Sequence, residues 1–184
     1  MAAYHVVMVH FPIALWIAST LMIVLRVLFP GALGQAMDRA LPVFLGLATL
    51  LGVITWTTGF LVWDWAAISS TPMGRNHMLT ATWTWSYFAV LAWLRIAYGQ
   101  AIWQGLGRWV MLVLAGIGVV LAGVTGTLGG HLIGVYTDLG QVLEALGWNV
   151  FTTFFVPNTT LYLLAAVIVI LVVLGLPGRR SEKS

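Results

Sequence analysis

Five long apolar runs, at roughly 6–29, 40–63, 77–98, 108–131 and 159–176, are separated by short stretches that hold nearly all of the charge. Each run is near the ~20 residues with which an α-helix crosses ~30 Å of hydrocarbon while satisfying its own backbone groups. The pattern predicts an all-α integral membrane protein of five transmembrane helices, with spans one to four forming a helical bundle. Between spans four and five, Leu139, Val142, Leu143, Leu146 and Val150 recur at helical spacing, which predicts a short amphipathic helix on the membrane surface. The expected organisation is a histidine-bearing four-helix bundle over 1–136, a loop with that helix over 137–158, and a fifth helix with a basic tail over 159–184. No linker, second domain or internal repeat stands out. No basic segment precedes the first apolar run, so the first helix is expected to be retained rather than cleaved as a leader.

Composition sharpens this picture by exclusion. With 61% hydrophobic residues, 7% charged residues and a mean hydropathy of +1.00, the chain cannot coat a soluble globule, and soluble enzyme folds are excluded. The absence of cysteine removes disulfides, cysteine-ligated iron–sulfur clusters, covalently attached haem and thiolate nucleophiles. Although the net charge is +3, the cations are strung along the span boundaries and form no patch, so nucleic acid is not an expected partner. Arg26, Arg39, Arg95, Arg108, Arg179, Arg180 and Lys183 fall on one side and only Arg75 on the other. The positive-inside rule then puts the N-terminus in the periplasm and the C-terminus in the cytoplasm of a bacterial inner membrane.

Against this orientation the four histidines share one depth. At ~1.5 Å per residue, Arg26 back to His5 is ~31 Å, Tyr98 back to His77 ~31 Å, and Trp109 to His131 ~33 Å, with His10 slightly deeper. All lie at or just below the outer face. Ionisable residues bordering a bilayer are expensive enough to be functional candidates, and neutral imidazole is the commonest nitrogen ligand for metals. His5 and His10 are too far apart around one helix to clasp an ion together, whereas ligands from different helices suit haem b, whose iron takes an imidazole on each side of a flat ring. The glycines beside His131, Gly129 and Gly130, leave room for such a ring, and Gly126, Gly130 and Gly134 form a run that lets a backbone or a flat ligand come close. The expected cofactor is one or two haem b groups, with His10 and His131 as the best ligand pair, His5 and His77 as the second, and Arg75 neutralising a propionate. Copper is the alternative, drawing on the same histidines with Met8, Met73 or Met78. Asp64, near the outer end of span two, is a candidate acceptor of a quinol proton.

The segment from Tyr4 to Leu15, His5-Val6-Val7-Met8-Val9-His10-Phe11-Pro12-Ile13-Ala14-Leu15 with its preceding tyrosine, resembles the H-P-x-x-x-H-F-P-I-A-L opening of the bacterial membrane family known as domain of unknown function 2231. Gly129-Gly130-His131-Leu132 is similar to that family's G-G-H-L segment, and Asp64-Trp65 to its D-W pair; the resemblance covers about 1–136. Val6 stands where the family usually has proline, and Tyr136 follows G-G-H-L later than usual. Fusion of some members to Rieske-type domains implies a redox setting. The function expected from residues and resemblance together is a membrane cytochrome subunit that exchanges electrons at the periplasmic face. Its expected partners are lipid, quinone, and other membrane or periplasmic redox subunits. A non-redox accessory subunit of a membrane complex is the remaining alternative. No nucleophile or general-base set marks it as a stand-alone enzyme.

Overall fold

The computed structural model describes residues 2–152 and four isolated positions beyond them (159, 162, 163 and 166), so the expected fifth span and the basic tail lie outside the described residues. The described chain is all-helical, with no strand. It comprises α1 (Ala2–Leu28), α2 (Ala32–Val62), the short α3 (Trp65–Ser69), α4 (Pro72–Tyr98), a 3-10 turn over Gly99–Trp103, α5 (Gly107–Leu132) and α6 (Asp138–Ala145). Among the described residues three helices are long and apolar enough to cross a membrane: α1 from Tyr4, α2, and α5. α4, the expected third span, has 27 residues and the length of a span, but Asn76, Thr80, Thr84 and Arg95 give its buried face a polar stripe. That stripe faces protein, where polar groups find partners.

Local chemistry sets the ends of the elements. Asp64 Oδ1 accepts from the Ala67 amide at 3.0 Å and so caps α3, Thr71 caps α4 through the Gly74 amide, and Thr137 caps α6 through the Gly140 amide. A helix, α6, is present in the segment expected to form the amphipathic one; it ends at Ala145 and packs on α5. Pro12 lies inside α1 and has no N–H to give the Met8 carbonyl, which instead receives the Thr55 hydroxyl of α2 at 3.5 Å. α2 begins eight residues before the predicted start at 40, and Asp38 and Arg39 belong to a helix rather than to a connection.

The long helices close a ring: α1 packs on α2, α2 on α4, α4 on α5, and α5 back on α1. This ring contains an internal duplication that the hydrophobic pattern does not reveal. The α1–α2 hairpin and the α4–α5 hairpin are equivalent, and a shift of 72 positions carries His5 to His77, Pro12 to Thr84, Trp16 to Phe88 and Ser19 to Leu91. From Pro12 onward, all of these are buried. A shift of 70 positions carries the buried face of α2 onto that of α5: Leu41 to Met111, Leu45 to Ala115, Ala48 to Gly118 and Gly52 to Ala122. Alternation of buried and exposed positions is identical over 41–50 and 111–120. Trp16 and Phe88, related by the 72-position shift, stack with ring centres 5.3 Å apart and planes 15° from parallel.

The two hairpins are joined at the end opposite the histidines by a buried ion pair. Arg95 of α4 donates through Nε to Asp38 Oδ1 of α2 at 2.6 Å and through Nη2 to Oδ2 at 3.0 Å. Trp103 Nε1 adds a bond to Oδ1 at 2.8 Å, and Gln100 Nε2 bonds Oδ2. Asp38 is 1% and Arg95 9% exposed. Because both charges are desolvated, removing one partner strands the other, whereas replacing both with apolar groups does not. Asp38→Ala should therefore destabilise the protein by about 3–5 kcal/mol in thermal unfolding of the detergent-solubilised chain. The double change Asp38→Leu with Arg95→Met should recover most of that loss. Equal losses in the two variants would show that the pair does not act as a unit.

Candidate functional site

The two ends of the bundle differ in chemistry, and the histidine end holds a cavity of about 390 Å³ enclosed by α1, α2, α4 and α5. This size is in the range of small-molecule and cofactor sites. Trp16 lines its deep end, and Trp85, Trp63 and Trp56 contribute to its walls. Of the four histidines, His5, His10 and His77 line it. A smaller adjoining pocket of about 50 Å³ is lined by His5, His77 and Met78, with Trp56, Phe60 and Trp63 around them.

Each imidazole is held in the same way. His77 Nδ1 faces the Thr125 carbonyl at 3.1 Å, His10 Nδ1 the Val6 carbonyl at 2.7 Å, and His131 Nδ1 the Thr127 carbonyl at 2.8 Å. A carbonyl only accepts, so in each neutral ring Nδ1 carries the proton and Nε2 keeps its lone pair. His5 reaches the same state through a hydroxyl: Thr58 gives its own proton to the Thr55 carbonyl at 2.8 Å, and its oxygen accepts from His5 Nδ1 at 3.2 Å. All four histidines therefore present a bare Nε2. This is the arrangement seen around metal-ligating histidines, where the second nitrogen is anchored and the first is aimed.

His5 and His77 are equivalent in the duplication, and each lies against a glycine of its hairpin partner. A Cβ on Gly59 would stand 3.2 Å from His5 Cε1, and one on Gly129 would stand 2.9 Å from His77 Cε1. These glycines are themselves related by the 70-position shift, as are Thr55 and Thr125 beside them. Each half of the ring thus builds a seat for one imidazole, and the two seats face one cavity.

His131 is placed differently. It is absent from the cavity lining and instead meets α6, where a Cβ on Gly140 would come 2.7 Å from its Cε1; Tyr136 and Phe151 flank its ring edge-on at 5.0 and 5.9 Å. His10 and His131 are therefore not brought onto one cavity, whereas His5 and His77 are. Arg75 is buried at 4% exposure and donates from Nη1 to the Ser69 carbonyl at 3.1 Å; among the described residues neither it nor any other Lys or Arg lines the cavity. Asp64 is exposed and occupied with capping α3. Met78 lies in the smaller pocket, while Met8 and Met73 line neither space. Among the described residues no three His, Asp or Glu side chains gather closely enough to hold a metal ion, so a histidine–carboxylate zinc site is not formed there.

Thr58, Thr125, Gly59 and Trp16 carry parts of the site that patterning and composition do not single out. One signal for them lies in the sequence: each of the two helix-initial histidines is followed eleven residues later by an aromatic, Trp16 or Phe88. Compared with known proteins, the chain matches no family model, no curated protein and no solved structure.

At neutral to alkaline pH, long-range proton–nitrogen NMR of labelled histidine should show the Nδ1-protonated tautomer at all four positions. Thr58→Val removes the acceptor while keeping the side-chain shape, and should release His5 alone into a mixture of tautomers. A dominant Nε2-protonated form at His77 would contradict the assignment.

Proposed function

We propose that the chain is a bundle of four membrane-crossing helices, with a fifth following, in a bacterial inner membrane. Its N-terminus and histidine end face the periplasm and its C-terminus the cytoplasm. Within that frame it serves as a b-type cytochrome subunit whose haem would be held by His5 and His77. The observation that carries this reading is the matched pair of seats: two symmetry-equivalent imidazoles from different hairpins, each with Nδ1 anchored and Nε2 bare, on one apolar cavity. Haem b bound there would supply one-electron transfer. The chain's part is to aim two Nε2 lone pairs, to keep both flanking positions free of side-chain bulk at Gly59 and Gly129, and to surround the site with tryptophan and exclude water. Electrons exchange at the periplasmic face with quinone or a membrane subunit and with an external redox protein. His10 and His131, set apart by the geometry, are not the favoured ligands.

A specific observation favours copper as the second reading. The small pocket shared by His5, His77 and Met78 has ion-sized volume and the imidazole–thioether donor set that copper(I) prefers.

An optical spectrum and metal analysis of the purified protein separate the two. The expected result is a reduced low-spin haem spectrum that His5→Ala and His77→Ala each convert to high-spin or abolish, while His131→Ala retains it. Bound copper without haem, lost on Met78→Leu, would support the second reading, and loss of the haem spectrum in His131→Ala alone would overturn the pairing. Orientation is checked separately: a reporter active only in the periplasm should work when inserted within 138–150 and be silent when fused after Ser184.

A further inference from the structure

The two halves of the ring are equivalent in their seats but not in the grooves between them. Two grooves connect the hairpins, one between α2 and α4 and the other between α5 and α1. The 70- and 72-position shifts map the first onto the second, carrying Trp56 to Gly126, Phe60 to Gly130 and Thr82 to His10. In the α2–α4 groove the aromatics form a plug: Trp56 Nε1 donates to Thr82 Oγ1 at 3.0 Å, and Trp56 meets Phe60 edge-on at 4.5 Å. In the α1–α5 groove the equivalent positions are glycines, both lining the cavity; a Cβ on Gly126 would meet nothing within 4 Å, whereas one on Gly130 would stand 2.8 Å from the Val135 carbonyl oxygen. Gly126 and His10 are exposed at the outer surface of the bundle while also lining the cavity, so the cavity opens sideways between α1 and α5. Both of those helices are long and apolar enough to cross a membrane.

We propose that this groove is a lateral portal through which a lipid-soluble quinol enters from the bilayer, its aromatic head seated beside His10 and one hydroxyl donating to His10 Nε2. The chemistry of the lining selects this class. The opening is walled by backbone at Gly126, which suits a flat ring, and is bounded beyond it by Gly130 and the Val135 carbonyl. The polar atom at its mouth is an imidazole nitrogen that accepts and cannot donate, because Nδ1 is committed to the Val6 carbonyl, so the ligand must bring an O–H. With no Lys or Arg among the described lining residues, a phospholipid phosphate would go unpaired there. A quinol brings a hydroxyl on a flat aromatic ring and a prenyl tail that remains in lipid. His10 has no histidine counterpart in the other half, which is consistent with a ligand at one groove only. The proposal concerns binding. It deepens the partner named in the proposed function, but rests on the groove rather than on any metal that His5 and His77 would hold.

The other half supplies the test. Gly126→Trp places an indole beside His10 as Trp56 stands beside Thr82, and His10→Thr copies the plugged groove's own residue. Decylubiquinol is the probe, with binding to the purified protein in nanodiscs followed by calorimetry under anaerobic conditions. Wild type should bind it, Gly126→Trp should weaken binding more than tenfold by occlusion, and His10→Thr should weaken it about fivefold to tenfold through loss of one hydrogen bond. Gly126→Trp should keep the wild-type histidine NMR pattern, showing that the seats of His5 and His77 are intact. Wild-type affinity in Gly126→Trp, or no binding by wild type, would overturn the portal. If wild type binds the quinol through this groove but contains neither haem nor copper, the portal stands and the proposed function falls. If the protein shows a haem spectrum sensitive to His5 and His77 but ignores the quinol, the portal falls and the proposed function stands.

Discussion

Helices surrounded by hydrocarbon gain little from the hydrophobic effect when they meet, and apolar faces of similar shape can slide past one another at small cost. The Asp38–Arg95 pair removes that freedom here, because a bidentate bond between two buried charges tolerates neither translation nor rotation of α2 against α4. It acts between hairpins rather than within one. Gln100 and Trp103 extend its hold to the segment that connects α4 to α5, and Arg26 of α1 lies over the Trp103 ring at 5.5 Å, so all four long helices are referred to one point. With register fixed at that end and Trp16 stacked on Phe88 at mid-bundle, the helix-initial residues at the other end have little freedom left. His5 and His77 face one cavity for this reason.

Sequence patterning reaches the class of fold because the signal for a membrane-length helix is composition over some twenty residues, which no tertiary contact can override. It also places His5, His10 and His77 toward one end of the helices, because position along a helix is set by counting. It misses the duplication for a physical reason. Core positions related by the shift are Leu41 and Met111, Leu45 and Ala115, Ala48 and Gly118: interchangeable apolar groups that fill different volumes and share no identity. Identity survives at only a few related positions, among them His5 and His77, Thr55 and Thr125, and Gly59 and Gly129 at the site, and Val43 and Val113, and Gly46 and Gly116, away from it. The place of Asp38 is hidden for a related reason. Adjacent to Arg39 and ahead of Pro42, it reads as a loop charge, whereas α2 starts at Ala32 and carries it into the core to meet an arginine 57 residues away.

Duplication explains how a small chain can build a two-sided site at all. A single hairpin can seat one imidazole against one glycine, but it cannot oppose a second to it. Pairing two hairpins puts two corresponding imidazoles on a common space without any one helix having to carry both. The histidine at the start of α1 anchors Nδ1 on a threonine hydroxyl and the one at the start of α4 on a backbone carbonyl, so the two seats differ in detail and agree in outcome.

What symmetry builds, the grooves then break. A two-fold site with two open flanks would let its ligand enter and leave on either side, and water would follow. Filling one flank with Trp56 and Phe60 and leaving glycines at Gly126 and Gly130 on the other makes the two flanks unlike, with open space at Gly126. Placing His10 where the plugged groove has Thr82 sets an acceptor at that open side. The fold thus separates three features along its length: register at the Asp38–Arg95 end, two anchored imidazoles at the matched seats, and open space at the one groove where the two halves have diverged.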